Sequence, residues 1–229
     1  MGALLLVFLL AGFSACRPGN DDAGKPKDKV STGHTSQEDK DDILPLKKDE
    51  NKNREKWQKP ESVVAMMGDL SGKTVADIGA GTGYFTFRIA VKAKKVIAID
   101  IVKEYLEILE NLKEKLPVEI QQRIETRLAT ENDPKLKKEE TDLVVMINTL
   151  SYISDKLEYL KTVKRALKPG GKIFIVDFKM KNLPIEAPGK NQRIPMYELE
   201  NMLAEAGYVR IQSDDTTLDY QYIVAGYKK

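Results

Sequence analysis

From Ser62 onward, apolar residues recur with two alternating spacings. Helical spacing over Ser62–Met67 predicts a first helix that ends near Gly68, and the continuous apolar run Lys73–Ile78 predicts a buried strand. A helix over Tyr84–Val91 and a second strand over Lys95–Asp100 follow. Lys103–Leu116 carries Tyr105, Leu106, Leu109 and Leu112 on one face, an amphipathic helix closed by Pro117. Further strands are expected at Arg123–Leu128, Asp142–Ile147 and Lys172–Phe178, with a helix over Asp155–Leu167 stopped by Pro169-Gly170-Gly171. At the end of the chain, a helix over Met196–Ala206, capped by Gly207, leads into two strands, Tyr208–Ser213 and Tyr220–Tyr227. No helix separates these two, so they pair antiparallel.

Strands and helices that alternate, with strands apolar throughout, indicate an α/β fold with a doubly wound, mostly parallel sheet buried on both faces. The folded part is expected to run from Trp57 to Lys229 as one domain of 173 residues. A chain of that size buries roughly 70% of its unfolded surface.

The residues ahead of Trp57 read differently. Ala3 to Ala15 is almost wholly apolar, about half the ~20 residues that span a bilayer as a helix. A short apolar run followed by small residues is the pattern of a signal peptide, here residues 1–15. Phe13-Ser14-Ala15-Cys16 resembles the lipobox of bacterial lipoproteins, which implies lipidation at Cys16, export and attachment to a membrane by the lipid anchor alone. Phenylalanine stands where leucine is usual, and no Lys or Arg precedes the apolar run. A signal that does not function would leave the chain cytoplasmic. Between Arg17 and Lys56, half of the 40 residues are charged, ten of each sign, and none is aromatic. Such a stretch buries too little apolar surface to offset its ordering entropy, so residues 16–56 are expected to be a disordered tether.

Charge and cysteine usage remove several classes of function. Lys and Arg (37) nearly balance Asp and Glu (35), which gives no electrostatic footprint for nucleic acid. One cysteine, Cys16, and one histidine, His34, rule out an internal disulfide and a Cys/His metal site, and no ligand loop for a hard cation is visible. No metal is expected.

The chemistry concentrates in Val75-Ala76-Asp77-Ile78-Gly79-Ala80-Gly81-Thr82-Gly83, a glycine turn between the first strand of the sheet and the next helix. Ligands of doubly wound sheets bind at the carboxyl ends of the strands, beside the first. The dinucleotide fingerprint is Gly-x-Gly-x-x-Gly. In this chain the next glycine after Gly81 comes two residues later, and Tyr84 stands where that fingerprint wants glycine. Asp100 ends the second strand 21 residues after Gly79, where a carboxylate accepts hydrogen bonds from a ribose.

In register, these features resemble the class I S-adenosylmethionine-dependent methyltransferases over residues 57–229. Val75–Gly83 resembles that family's first motif and Val96–Asp100 its acidic second. Leu167-Lys168-Pro169-Gly170-Gly171-Lys172 resembles the turn before its fifth strand. The resemblance implies a seven-stranded Rossmann-like sheet of order 3-2-1-4-5-7-6 with the last strand reversed, and S-adenosylmethionine as cofactor. It further implies that Gly79, Ala80, Gly81 and Gly83 pack against the methionine portion, with Asp77 near its amino group. Asp100 would hold the ribose, Ile101 would flank the adenine, and Glu131 or Asn132 would meet the adenine edge.

The acceptor region is expected after the fourth strand, at Asn148-Thr149-Leu150-Ser151-Tyr152. Related bacterial methyltransferases often carry histidines there; this chain has Ser151 and Tyr152. Asn148 and Tyr152 are candidates to line the pocket, with ordinary packing as the other reading of Tyr152. Lys179 and Arg193 are candidates to meet an anionic substrate, Trp57 to cover the site, and all three also suit plain structural roles. Methyl transfer to a small molecule is the leading expectation. A non-catalytic binding or interaction module on the same fold is the alternative, since fold alone does not establish activity. A nicotinamide-dependent oxidoreductase is disfavoured by the glycine spacing.

Overall fold

The computed structural model describes residues 48–229, with side chains from Asn53 onward. The expected signal peptide, Cys16, His34 and the charged stretch up to residue 47 lie outside the described residues. The strands are β1 (Thr74–Ile78), β2 (Lys95–Asp100), β3 (Ile124–Leu128), β4 (Thr141–Ile147), β5 (Leu167–Phe178), β6 (Val209–Asp214) and β7 (Gln221–Tyr227). They form one sheet in the order β3-β2-β1-β4-β5-β7-β6. Neighbours from β3 to β5 run parallel, and β7 runs antiparallel to both β5 and β6. This is the doubly wound order with a reversed last strand expected from the sequence.

Side chains alternate across a strand, so each apolar run supplies two cores at once. Val75, Leu143, Val145 and Ile147 face a core shared with Val63, Phe87 and Leu109. Ala76, Ile78, Val144 and Met146 face the other, filled by Leu160, Val163, Leu199 and Leu203. The first core is roofed by α2 (Pro60–Met66), α3 (Tyr84–Lys92) and α4 (Lys103–Lys113), the second by α6 (Lys156–Ala166) and α7 (Met196–Glu205). A one-turn helix, α5 (Val118–Gln121), follows Pro117. Asp155 caps α6 by accepting a hydrogen bond from the Glu158 amide at 3.1 Å. Among the described residues no helix is long and apolar enough to cross a membrane.

Two differences from the sequence expectation have clear physical causes. β5 begins at Leu167, before the Pro-Gly-Gly turn, because Leu167 pairs with Thr141 and the Gly170 amide and Gly171 carbonyl bond to Lys228. The second is a helix, α1 (Lys48–Gln58), which reaches back into the segment expected to be a disordered tether. Residues 48–56 are helical, and folded structure starts ahead of Trp57. Composition argued against order there, and tertiary contacts supply it. Trp57 packs against Phe178 and Tyr220, with ring centroids 6.1 and 6.5 Å away. Gln58 is fully buried and bonded to Gln221, and the Arg54 guanidinium lies 4.0 Å above the Tyr84 ring.

Candidate functional site

The carboxyl ends of β1, β2 and β4 open onto two adjoining cavities of about 840 and 540 Å³ that share Gly79, Gly81, Tyr105, Asn148 and Thr149. The glycine turn forms their common floor. Gly81 has a left-handed backbone (φ 54°), and a side chain there would point into open space, so the turn presents bare backbone to the cleft. Its amide donates to Asp100 Oδ2 at 2.8 Å, while Asp100 Oδ1 accepts from the Val102 amide at 2.9 Å. The carboxylate that ends β2 therefore locks the glycine turn in place. Each of its oxygens keeps a lone pair for a further donor.

Asp77 sits deeper, 2% exposed, and accepts a hydrogen bond from the Thr86 hydroxyl at 2.6 Å. Burial pushes its carboxyl up to about 6, against that hydrogen bond and the nearby Arg54 charge; Asp100 adds to the rise. A carboxylate so poorly solvated gains from any cation that reaches the larger cavity, which it lines. Burial likewise pushes the Arg54 guanidinium below its usual range. The guanidinium groups of Arg54 and Arg88 lie 4.0 and 4.3 Å from the Tyr84 ring centre, and the buried Tyr84 hydroxyl has no hydrogen-bond partner among the described residues.

The residues singled out from the sequence divide along this cleft. Asp77, Gly79, Ala80 and Gly81 line the larger cavity; Gly79, Gly81, Asp100, Ile101 and Glu131 line the smaller. Asn148 lines both, and Tyr152, 66% exposed, lines the smaller, so it is not packing filler.

Four expectations need correction. Gly83 is buried behind the turn as the N-cap of α3 (φ 97°), against Phe87 and Leu109, and does not line the cleft. Asn132 opens on a separate hollow with Asp133, Leu136 and Lys138, because the turn closed by Thr130 and Asp133 separates it from Glu131. Lys179 is spent on the Asp215 and Leu218 carbonyls. Arg193 ties Pro188, Lys179 and Lys181. Neither lines the two cavities of the cleft.

Sequence reasoning missed Arg54, Tyr84 and Tyr105 in the cleft wall. Arg54 had no signal, because its neighbours are charged. Tyr84 showed only as a departure from the dinucleotide pattern. Among the described residues no group of three or more His, Cys, Asp or Glu could hold a metal ion.

A family model described as a methyltransferase domain matches residues 69–221, from the loop before β1 to the start of β7. The chain belongs to the methyltransferase-domain family. Phosphoethanolamine N-methyltransferase 1 of Triticum aestivum is 34% identical over 129 residues, 54% of this chain and 25% of that protein. Demethylmenaquinone methyltransferase of Lactococcus lactis is 34% identical over 122 residues, 52% of this chain and 47% of that one. The chain thus spans a quarter to about half the length of these methyltransferases, and the matched part differs little in identity between them. A crystal structure of a SAM-dependent methyltransferase from Aquifex aeolicus has the same fold, with a TM-score of 0.69 at 24% identity, covering 80% of this chain and all of that one.

Proposed function

We propose that this chain is an S-adenosylmethionine-dependent methyltransferase that acts on a small-molecule acceptor. The observation that carries the reading is the pairing of two acidic residues with one glycine turn: Asp77 buried and undersolvated in the larger cavity, Asp100 locking Gly81 beside the smaller. The residues present fit the cofactor. Asp77 suits its amino group, bare backbone at Gly81 gives room for the methionine portion, and the spare lone pairs of Asp100 suit ribose hydroxyls. Ile101 and Glu131 line the cavity that would receive the adenine.

When bound, the cofactor supplies a methyl group already activated by its sulfonium. The protein then has mainly to position the acceptor and exclude water. Tyr105, Asn148 and Thr149, shared by both cavities, stand where acceptor and cofactor would meet. Trp57 and Phe178 give the larger cavity an aromatic wall that suits an organic acceptor of modest size. The described residues contain no histidine, so any base has to be a carboxylate, tyrosine or lysine.

Calorimetry with S-adenosylmethionine and with a nicotinamide dinucleotide tests the reading. Micromolar binding of the first, about 8 kcal/mol, is expected. Asp100→Ala should lose about 1.5–3 kcal/mol of that, since it removes a charged acceptor. Preference for the dinucleotide refutes the assignment. Tight binding without turnover would favour a non-catalytic module.

For localisation we propose export and lipidation at Cys16, supported by the apolar run that ends at Ser14-Ala15-Cys16. A single acyl chain holds a protein only marginally, so stable attachment takes the several chains of a bacterial lipoprotein. Soluble wild-type protein with an intact Met1 would refute this, and Cys16→Ser should release a membrane-bound one.

A further inference from the structure

A buried chain of amides runs from α1 to the floor of the cleft. Arg54 Nε donates to Gln58 Oε1 at 2.6 Å, Gln58 Nε2 donates to Gln221 Oε1 at 3.0 Å, and Gln221 Nε2 donates to Asn148 Oδ1. Amide orientation is ordinarily ambiguous, because oxygen and nitrogen look alike. Here the first member removes the ambiguity. A guanidinium only donates, so Gln58 must turn its oxygen to Arg54 and its NH2 to Gln221, and the same polarity passes to Asn148. Both glutamines are fully buried, so reversing either would set donor against donor with no water to intervene. The Asn148 oxygen is thereby turned to Gln221, and its NH2 group, with no partner among the described residues, is left for the cleft.

Asn148 itself is well fixed. It stands at the end of β4 in a left-handed conformation (φ 60°), its amide bonded to the Val176 carbonyl at 2.9 Å. It lines both cavities, at the junction where acceptor and cofactor would meet.

Resting on the methyltransferase reading, we propose that Asn148 is a one-way hydrogen-bond donor that selects an ionised oxygen acceptor, a carboxylate or an acidic phenol or enol, over an amine. A neutral amine has one lone pair, and a donor aimed at it would occupy the pair needed for attack. An oxyanion has three, and can accept from Asn148 while another forms the bond. An O–CH3 bond forms as the carbon–sulfur pair leaves with sulfur; the anion and the cation become two neutral products and no proton is removed. That matches a cleft with no histidine among the described residues to serve as base. An amine would gain instead from an oxygen that accepts its N–H, and the Asn148 oxygen already accepts from Gln221, which leaves it one lone pair against the two N–H donors of its NH2. The other lining carboxylates are Asp77, Asp100 and Glu131, assigned to the cofactor, and Glu186 on an exposed loop.

The test uses ¹⁵N-labelled full chain with S-adenosylhomocysteine, then benzoate, 4-nitrophenolate or benzylamine as probe. Failure of wild type to bind S-adenosylhomocysteine would sink the methyltransferase reading itself. With it bound, both oxygen probes should bind about tenfold to a hundredfold more tightly than benzylamine. They should also shift the Asn148 side-chain NH2 resonance, identified by its loss in Asn148→Asp. That variant places a carboxylate where the donor was and should reverse the order of affinities. Gln221→Glu removes the donor that orients Asn148 and should erase the preference while S-adenosylhomocysteine binding stays within about threefold. If Gln221→Glu does not fold, the wild-type ranking, the amide shift and Asn148→Asp decide. Benzylamine bound as tightly as the oxygen probes, or no probe bound at all, overturns the proposal. So does a folded Gln221→Glu that keeps the wild-type ranking.

Discussion

Binding of S-adenosylmethionine should depend on pH through Asp77, and the burial of that carboxyl sets the sign. Burial holds this carboxyl at about 6 in the unliganded protein, against an ordinary 3.8. An ammonium group beside it favours the ionised form and should return it to roughly 4. The ligand then binds ionised Asp77 better than protonated Asp77, and affinity must fall as pH drops through 6. At pH 7.5 the group is already ionised in the free protein. At pH 5 about nine-tenths of it is protonated, and ligand binding has to expel that proton. The expected loss is about tenfold between pH 7.5 and 5, or about 1.4 kcal/mol, with roughly half a proton released per ligand at pH 6. Titration calorimetry in two buffers of different ionisation enthalpy measures both quantities. Asp77→Asn should bind more weakly at pH 7.5 and lose most of the pH dependence. An affinity that is flat from pH 5 to 7.5, or that strengthens on acidification, would show that Asp77 does not meet the ligand's cation.

The features legible in the sequence were those written in local pattern. Lys95–Asp100 is a strand over the residues expected, because a continuous apolar run between a helix and an acidic turn has few other homes. The turn that locks Gly81 to Asp100 was legible as spacing, since both partners belong to a βαβ unit whose geometry is stereotyped. What escaped depends on partners remote in sequence. Gln58 and Gln221 are 163 residues apart, and neither has a local reason to be buried. Without that pairing α1 looks like one more piece of a charged tether. The same holds on a smaller scale at Glu131 and Asn132, adjacent in sequence but divided between two hollows by one tight turn. Lys179 and Arg193 carried charge at the right end of the sheet, but both side chains are tied to loop carbonyls and neither lines the cleft.

Three further outcomes follow from the packing. Gly83→Ala should cost about 3 kcal/mol and Gly81→Ala about 1 kcal/mol, because both force a left-handed residue but only at Gly83 would the new Cβ fall 2.6 Å from Phe87; equal costs in urea unfolding would contradict this. A chain that begins at Pro60 should lose about 3 kcal/mol relative to one that begins at Lys48, since it forfeits the Trp57 packing on Phe178 and leaves the Gln221 side-chain oxygen without its Gln58 donor. Identical midpoints would mean that α1 only rests on the domain. Asp177→Asn should stabilise the protein at neutral pH. Asp177 is fully buried at the end of β5, with Oδ1 accepting from the Phe178 amide at 2.8 Å and Oδ2 without a partner among the described residues. Burial pushes its carboxyl up to about 6, against the Phe178 and Ser151 amides and the charges of Lys156 and Arg193. A raised folded-state value means that the native protein holds a proton that the unfolded chain has lost, so stability falls as pH rises from about 4 to 6 and then levels. The ionised carboxylate costs about 3 kcal/mol at pH 7.5 and under about 1 kcal/mol at pH 4. The advantage of Asp177→Asn over wild type should therefore grow by about 2 kcal/mol between those pH values, while every other carboxylate titrates equally in both proteins and cancels. Urea unfolding of the pair at pH 4 and 7.5 measures that difference; an advantage that is constant, or that shrinks as pH rises, would mean that Asp177 is ionised at no cost and that its second oxygen has a partner after all.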